Sequence, residues 1–189
     1  EWPVTKAESI LNFETNLTQL LNECRNIYSL SGISRKLDSL LKKQEVSDPK
    51  PFLDKLRTIK SSKEIEYMSV AADIGSIAKI SAMKKSKPGI GEWEIQAIIE
   101  STFLNSRSNW SFPSIVGGGD NATILHYKSN HSRINDGDLV LVDSGCEVFG
   151  YASDITRTWP INGKFTDPQK EIYDLVLKAQ VAGIASCIS

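Results

Sequence analysis

The feature that most constrains the fold of this chain is a change in hydrophobic spacing near residue 110. Before that point, apolar residues recur every three or four positions, as they do on one face of a helix. After it, short apolar runs are separated by turn residues, which is typical of strands. Because the helices precede the strands rather than alternate with them, the sequence predicts an α+β fold.

The N-terminal half contains the helix-start signals that this interpretation requires. Thr5 with Glu8, and Ser61 with Glu64, match the capping-box pattern. A polar stretch with two prolines, residues 44–51, predicts a linker and a domain boundary. The predicted helices cover residues 6–29, a short segment after Ser34, residues 62–87 and residues 91–106.

The C-terminal half predicts four strands and one more helix. The strands are expected at residues 112–116, 122–127, 139–142 and 150–159, and the helix runs from about Asp167 to the last residue. The run Leu139–Val142 does not alternate with polar residues, so we expect it to be covered on both faces. The expected arrangement is a curved antiparallel sheet with helices on its outer side.

Two aspartates follow from this arrangement as candidate metal ligands. A two-residue turn at Val148 and Phe149 would place Asp143 directly opposite Asp154, with Cβ atoms about 4.5 to 5.5 Å apart. Two carboxylates that close share a proton or hold a cation, and oxygen ligands favour Mn²⁺ or Mg²⁺. Thr156 would share their face and could orient the carboxylate of Asp154. The alternative is structural: Asp143 ends a strand, and Asp154 pairs with Arg157.

The two histidines do not suggest a zinc site, because neither belongs to a Cys/His cluster or an H-E-x-x-H pair. His126 is expected in an apolar strand, where a histidine is usually part of the core, and His131 in an exposed polar loop. Of the two, His126 is the better candidate for a functional role.

Composition excludes several classes of protein. The 22 Lys and Arg balance 23 Asp and Glu, for a formal charge of −1, so no basic surface for nucleic acid is expected. No apolar run approaches the roughly 20 residues that cross a bilayer. Three scattered cysteines argue against a disulfide framework and favour a reducing compartment.

Three segments together resemble the pita-bread metallopeptidases, specifically the Xaa-Pro aminopeptidases (aminopeptidase P). They read FPSIVGGGDNATILHY at 112–127, DGDLVLVDSGC at 136–146 and GYASDITRTWPINGKFTDPQ at 150–169. The DITRTWP sequence and the GC after the first aspartate are most similar to the mitochondrial branch, which includes the intermediate cleaving peptidase. The resemblance is specific from about Leu56 to Leu177.

The resemblance implies a role for individual residues. Asp143 and Asp154 correspond to ligands that bridge two divalent ions, expected to be Mn²⁺. His126 corresponds to a histidine that contacts the substrate, and Phe112 to an aromatic residue beside the substrate pocket. No catalytic residue is assigned, and His131 inherits no role.

The resemblance also implies that the chain is a fragment, since the family completes its metal site with a later histidine and two later glutamates. We expect residues 1–50 to be a remnant of an N-terminal domain with a linker, and residues 51–189 to be the first half of a partial pita-bread catalytic domain.

The full-length parent is expected to be a manganese-dependent mitochondrial aminopeptidase that acts on peptide N-termini. It is expected to have no membrane span, and a homodimer is a possible assembly. The 189-residue chain alone is expected to be inactive. A prolidase-like dipeptidase, creatinase-like chemistry, a non-catalytic binding module and a cytoplasmic location are the alternatives.

Overall fold

The computed structural model describes residues 7–188 of the chain. Two compact units divide it between Lys60 and Ser61. This division lies C-terminal to the predicted linker at residues 44–51, and the assignment of the two domains stays a prediction. No helix within the described residues combines the length and apolar character needed to span a bilayer.

The first unit consists of short elements. They are α1 (Phe13–Glu23), β1 (Ile27–Tyr28), α2 (Arg35–Leu41), β2 (Val46–Ser47) and α3 (Lys50–Thr58), with a 3-10 helix at Ile10–Asn12. Strands β1 and β2 pair in parallel. The helix predicted after Ser34 is confirmed, since the Ser34 hydroxyl accepts a hydrogen bond from the Leu37 backbone N–H at 3.3 Å.

Two predictions for this unit are wrong in their extent. The helix predicted over residues 6–29 is limited to α1 and the preceding 3-10 turn, because the chain becomes extended at Cys24 and pairs as β1. Thr5, part of the predicted capping box, lies outside the described residues. The predicted linker contains β2 and the start of α3, where Pro51 occupies the first turn and needs no N–H donor.

The second unit begins with two long helices, α4 (Ser62–Lys85) and α5 (Glu92–Asn105), as the spacing predicts. The Ser61 hydroxyl accepts from the Glu64 N–H at 3.4 Å, and the Glu64 carboxylate accepts from the Ser61 N–H at 2.6 Å, so this capping box is confirmed. The last helix, α6 (Asp167–Ala185), begins where predicted but stops before the last residue.

The strands of this unit form two three-stranded antiparallel sheets. One has the order β3 (Asn109–Trp110), β6 (Cys146–Val148), β7 (Tyr151–Ala152); the other has the order β4 (Ile115–Gly118), β5 (Leu139–Ser144), β8 (Ile155–Pro160). Helices α4 and α5 pack against each other and against strands of both sheets. The chain therefore has the mixed helical and antiparallel architecture that the α+β prediction required.

The core lies between these helices and the sheets, and α5 and β5 contribute most of its large side chains. From α5 come Ile95, Ile99 and Phe103, and from β5 come Val140 and Val142, all almost completely buried. Burial alternates along β5, with Val140, Val142 and Ser144 facing the helices while Leu139, Leu141 and Asp143 face the other way. The expectation that this apolar run is covered on both faces is therefore wrong, because the face that carries Leu139, Leu141 and Asp143 is only partly buried.

Two strand predictions are wrong. Residues 122–127 are not a strand; they begin in the last two residues of a 3-10 helix, Gly119–Thr123, and continue into a turn. The start of this segment lies directly on β4, since a Cβ added to Gly117 would be 2.9 Å from the Cα atom of Ala122. The strand predicted over residues 150–159 is interrupted between β7 and β8, where the Ser153 hydroxyl bonds the Cys146 N–H at 3.0 Å.

Candidate metal centre

The pairing of β5 with β8 determines how the two candidate aspartates face each other. Asp143 is paired with Thr156, not with Asp154 as predicted. The error is two residues, because the hairpin turns at Phe149 and Gly150, which have φ values of 50° and 83°, rather than at Val148 and Phe149. Side chains alternate faces with a period of two, so this shift leaves Asp154 on the same face as Asp143.

Asp154 lies in the interruption between β7 and β8 and is exposed. Partial burial raises the pKa of its carboxyl, and the negative charge of Asp143 and a hydrogen bond shared with it raise this pKa further. The contributions of Asp143 to this shift are those expected of two carboxyl groups that lie close together. The structure therefore brings together the pair that we call the Asp pair, Asp143 and Asp154.

Asp143 supplies the observation that tests whether this pair suits a metal. Its Oδ1 atom is buried and has no hydrogen-bond partner among the described residues. A buried carboxylate oxygen without a donor is costly unless a cation completes its environment. Oxygen donors of this kind suit hard divalent ions such as Mn²⁺ and Mg²⁺. The Asp pair therefore fits such an ion, although within residues 7–188 no group of three or more His, Cys, Asp or Glu side chains could hold a metal.

A lysine that the sequence analysis did not identify lies on the opposite side of β5. The Lys79 side chain, from α4, is buried and donates hydrogen bonds to the hydroxyl of Ser144 and, at 3.3 Å, to its carbonyl oxygen. Burial lowers the pKa of Lys79 to about 8, while the charges of Asp143 and Asp154 oppose that shift. The signal in the sequence is a cation within the small-residue face of α4, between Ala78 and Ala82.

Asp143 borders a cleft of about 270 Å³ on the strand face away from the helices, and Asp154 is not among the residues that line it. His126, Asp143 and Thr156 all line this cleft, together with Ile115, Ala122, Thr123, Ile124, Leu125 and Leu141. His126 is exposed in a turn with φ of 56°, so its prediction as a core residue of a strand is wrong. His126 instead lines the same cleft as the Asp143 carboxylate, among mainly apolar side chains and two threonines.

The remaining candidates lie apart from this cleft. Phe112 is half-buried in an irregular segment before β4 and is not among the cleft-lining residues. His131 is exposed, as predicted, with its Nδ1 atom 3.5 Å from the Tyr127 hydroxyl. The cleft thus brings His126, Thr156 and Asp143 together, and neither Asp154 nor Phe112 lines it.

Known proteins are similar in sequence to this chain over most of its length. An Xaa-Pro aminopeptidase of Haemophilus influenzae is 44% identical over 187 residues, which cover 96% of this chain and 44% of the relative. The mitochondrial intermediate cleaving peptidase 55 of Arabidopsis thaliana is 35% identical over 190 residues, which cover 98% of this chain and 38% of that protein. The chain therefore spans less than half the length of these curated relatives.

Solved structures share the fold. A variant of Escherichia coli aminopeptidase P superimposes with a TM-score of 0.88 at 36% identity, over 95% of this chain and 44% of that one. Proline aminopeptidase P II of Yersinia pestis gives a TM-score of 0.87 at 37% identity, over 93% of this chain and 44% of that chain. The predicted partial pita-bread fold is confirmed. Residues 66–189 match the sequence profile described as Metallopeptidase family M24, and the chain belongs to that family.

Proposed function

We propose that the protein to which this chain belongs is a metal-dependent aminopeptidase that removes N-terminal residues from peptides, with Xaa-Pro sequences as the preferred substrates. The observation that carries the proposal is the unpartnered Oδ1 of Asp143, buried beside Asp154 at a cleft that also presents His126. The relatives named Xaa-Pro aminopeptidase support the choice of substrate.

In this proposal the Asp pair holds the metal, with two Mn²⁺ ions as the expected occupants. When bound, such ions supply Lewis acidity at the carbonyl of the scissile peptide bond. The two carboxylates of the chain provide negative charge and oxygen donors on one strand face, which is what a divalent ion requires from its protein ligands. Lys79 lies beneath this face and partly balances the charge of the pair when no ion is bound.

The other cleft residues act on the substrate or on the ligands. His126 can donate a hydrogen bond to a peptide carbonyl, because its exposed imidazole lies in the cleft. Thr156 was expected to orient Asp154, but it is the cross-strand partner of Asp143, so we extend its orienting role to that carboxylate. Phe112 keeps its proposed place at the edge of the substrate pocket only if the bound peptide extends beyond this cleft.

Finer features follow from the relatives and are part of the proposal. The Arabidopsis relative is named mitochondrial, which supports a mitochondrial location and a role in processing imported proteins. Because other relatives are bacterial, a cytoplasmic location is the alternative to the mitochondrial one. Fractionation of the source cells, with the protein detected by antibody in each fraction, distinguishes the two locations. Size-exclusion chromatography with light scattering tests the proposed homodimer.

The activity is tested on the full-length protein with and without added Mn²⁺, using Xaa-Pro peptides and peptides that begin with a bulky apolar residue. Asp143→Asn and Asp154→Asn should each abolish turnover and lower the bound metal measured by mass spectrometry. Asp136→Asn, an exposed carboxylate just before the other end of β5, is the matched control and should retain both. The 189-residue chain alone should show no turnover.

The result that would contradict this function is a full-length protein that binds peptides without cleaving them. If its metal content were also unchanged in the two aspartate variants, a non-catalytic binding module would replace the enzyme. Cleavage restricted to dipeptides ending in proline would instead indicate a prolidase-like enzyme that uses the same Asp pair.

A further inference from the structure

A second carboxylate of this unit, that of Glu92, is completely buried at the first position of α5. Its Oε1 atom accepts hydrogen bonds from the Gly118 N–H and the Asn121 amide, each at 2.9 Å. Its Oε2 atom accepts from the Tyr127 hydroxyl and the Ser132 N–H, also at 2.9 Å. We call these five residues the Glu92 network.

The directions of these bonds are fixed by chemistry. The two backbone N–H groups can only donate, and one of them binds each carboxylate oxygen. The Tyr127 hydroxyl accepts a bond from the Asn121 amide at 3.0 Å, which leaves its own proton for Glu92. Burial raises the pKa of Tyr127, so its hydroxyl stays protonated and able to donate at neutral pH.

The Glu92 network flanks one wall of the cleft at both ends. Residues 122–126, which we call the cleft wall, all line the cleft, and they lie between two members of the network, Asn121 and Tyr127. The wall has little burial of its own to hold it, since Ile124 is 53% exposed and Leu125 is 86% exposed. Its two ends are therefore fixed to the same carboxylate, while its middle faces solvent.

We propose that Glu92 is a positioning residue that holds the cleft wall, and with it His126, in place opposite Asp143. Glu92 itself does not line the cleft and acts through Asn121 and Tyr127. The physical claim concerns the order of the wall and stands on the hydrogen bonds alone. Its kinetic consequence rests on the proposed function, because it requires that His126 contacts a substrate.

Glu92→Gln tests the proposal with almost no change in volume. Either orientation of the amide points its NH₂ group at a backbone N–H, of Gly118 in one case and of Ser132 in the other. Two donors cannot satisfy each other, so one end of the network must open. Because the cleft wall is otherwise exposed, we expect it to become mobile while the sheets remain intact.

Glu94→Gln is the matched control. Glu94 lies in the same first turn of α5, so its substitution removes the same charge from the same helix terminus. Its carboxylate accepts from the Gly91 N–H at 2.7 Å and lies 3.9 Å from Arg133 Nη1, but within residues 7–188 it makes no hydrogen bond to the cleft wall or to the Glu92 network. A general effect of charge at this helix would therefore appear equally in both variants.

The first measurement is amide hydrogen exchange in the full-length, Mn-loaded protein. Glu92→Gln should accelerate exchange of the Ile124 and Tyr127 amides, which bond the Asn121 and Ile124 carbonyls, by roughly tenfold or more. Amides in the ladder between β5 and β8 serve as the internal reference and should be unchanged. Glu94→Gln should leave both sets at the wild-type rate.

The second measurement is the steady-state kinetics of the same proteins on an Xaa-Pro peptide. Loss of a fixed His126 should lower kcat/KM by about tenfold or more in Glu92→Gln, with KM raised, and leave Glu94→Gln within about twofold of wild type. The metal content should stay at the wild-type level in both. A fall in metal content would indicate a general loss of structure instead of a mispositioned wall.

The two arms separate the possible failures. If wild-type protein turns over no peptide, the proposed function is wrong, and the exchange measurement still decides the role of Glu92. If Glu92→Gln exchanges at the wild-type rate in the cleft wall, the positioning role is overturned. Should Glu92→Gln fail to fold, Tyr127→Phe removes only one donor, and wild-type exchange at residues 124–127 in that variant would overturn the proposal.

Discussion

The second unit contains two carboxylate sites that differ in how completely their oxygens are satisfied. Both oxygens of Glu92 accept two hydrogen bonds each from groups of the chain itself, and the side chain is fully buried. In the Asp pair, Oδ1 of Asp143 is buried without a hydrogen-bond partner among residues 7–188, and the neighbouring side chain of Asp154 is also an acid. A saturated carboxylate fixes structure, whereas an unsaturated one beside a cleft is suited to bind something from outside.

The positive charge available to each site differs in the same way. Glu92 has the N-terminus of α5 and four donors in direct contact. The cation beside the Asp pair is Lys79, which lies under β5 and donates its hydrogen bonds to Ser144. The comparison predicts that substitutions at Glu92 change the free energy of unfolding of the metal-free protein. Substitutions at the Asp pair should instead change the additional stability that bound metal gives.

The largest effect is expected from truncating Glu92. In the metal-free protein, Glu92→Ala leaves four donors without their acceptor, which should lower the free energy of unfolding by about 3 to 5 kcal/mol. Urea denaturation followed by circular dichroism measures this value, with Glu94→Ala as the control. A loss below about 1 kcal/mol would mean that water replaces the carboxylate, and the distinction between the two sites would fail.

Lys79 gives the next effect, which depends on pH. Folding lowers the pKa of Lys79 from 10.5 to about 8, so the unfolded chain binds this proton more tightly. The free energy of unfolding should therefore rise as the pH increases from about 8 to about 10.5, and the full penalty, at most about 3 kcal/mol, applies below pH 8. The measurement is the difference between wild type and Lys79→Met at each pH, which cancels the titration of other groups.

The pH-dependent part of that difference should be lost above the unfolded-state pKa of 10.5, where the lysine loses its charge in both states. If wild type and Lys79→Met differed by a constant amount across the range, Lys79 would not be held as a buried charge beneath the Asp pair. Lys79 would then not balance the charge of the pair.

A smaller effect is expected from the metal itself. A ligand that binds only the folded state at ten times its dissociation constant raises the free energy of unfolding by about 1.4 kcal/mol. Added Mn²⁺ should stabilise wild type and Glu92→Gln by similar increments, and should not stabilise Asp143→Asn. Thermal denaturation at increasing Mn²⁺ concentration measures the increments. Equal stabilisation of all three proteins would place the ion away from the Asp pair.

Sequence patterns predicted the parts of this fold that local chemistry determines. The capping box at Ser61 and Glu64 marks the start of α4, and the uninterrupted run in β5 identifies the central strand. The prediction that Asp143 and Asp154 share a strand face was unaffected by the error in register, because the error was an even number of residues. The turn itself was misplaced because Phe149, a bulky residue with positive φ, does not resemble the Asn-Gly or Asp-Gly signal of such turns.

The parts that the sequence did not predict depend on contacts between distant segments. Residues 122–127 have strand-like composition, but the bonds from Asn121 and Tyr127 to Glu92, about thirty residues earlier, hold them in another shape. Glu92 itself looks like an ordinary acidic residue in the first turn of a helix. Only the fold shows that its side chain turns inward, and no local pattern distinguishes it from Glu94.

The smallest expected effect is at Asp143 in the metal-free protein, and it has the opposite sign to that at Glu92. Asp143→Asn removes the charge that helps to raise the pKa of Asp154 and supplies an amide donor to a neighbouring carboxylate. It also removes an attraction on Lys79, which offsets part of the gain. Because Asp154 is exposed and its charge is screened, the net stabilisation should be below about 1 kcal/mol. The repulsion requires both carboxylates to be ionised, so the gain should be present at pH 7 and disappear below about pH 4.

Urea denaturation at these two pH values measures the gain in stability of Asp143→Asn, with Asp136→Asn as the control. A loss of more than about 1 kcal/mol at pH 7 would show that the Asp143 carboxylate is a structural acceptor like that of Glu92, and the case for a metal at this site would lose its main support.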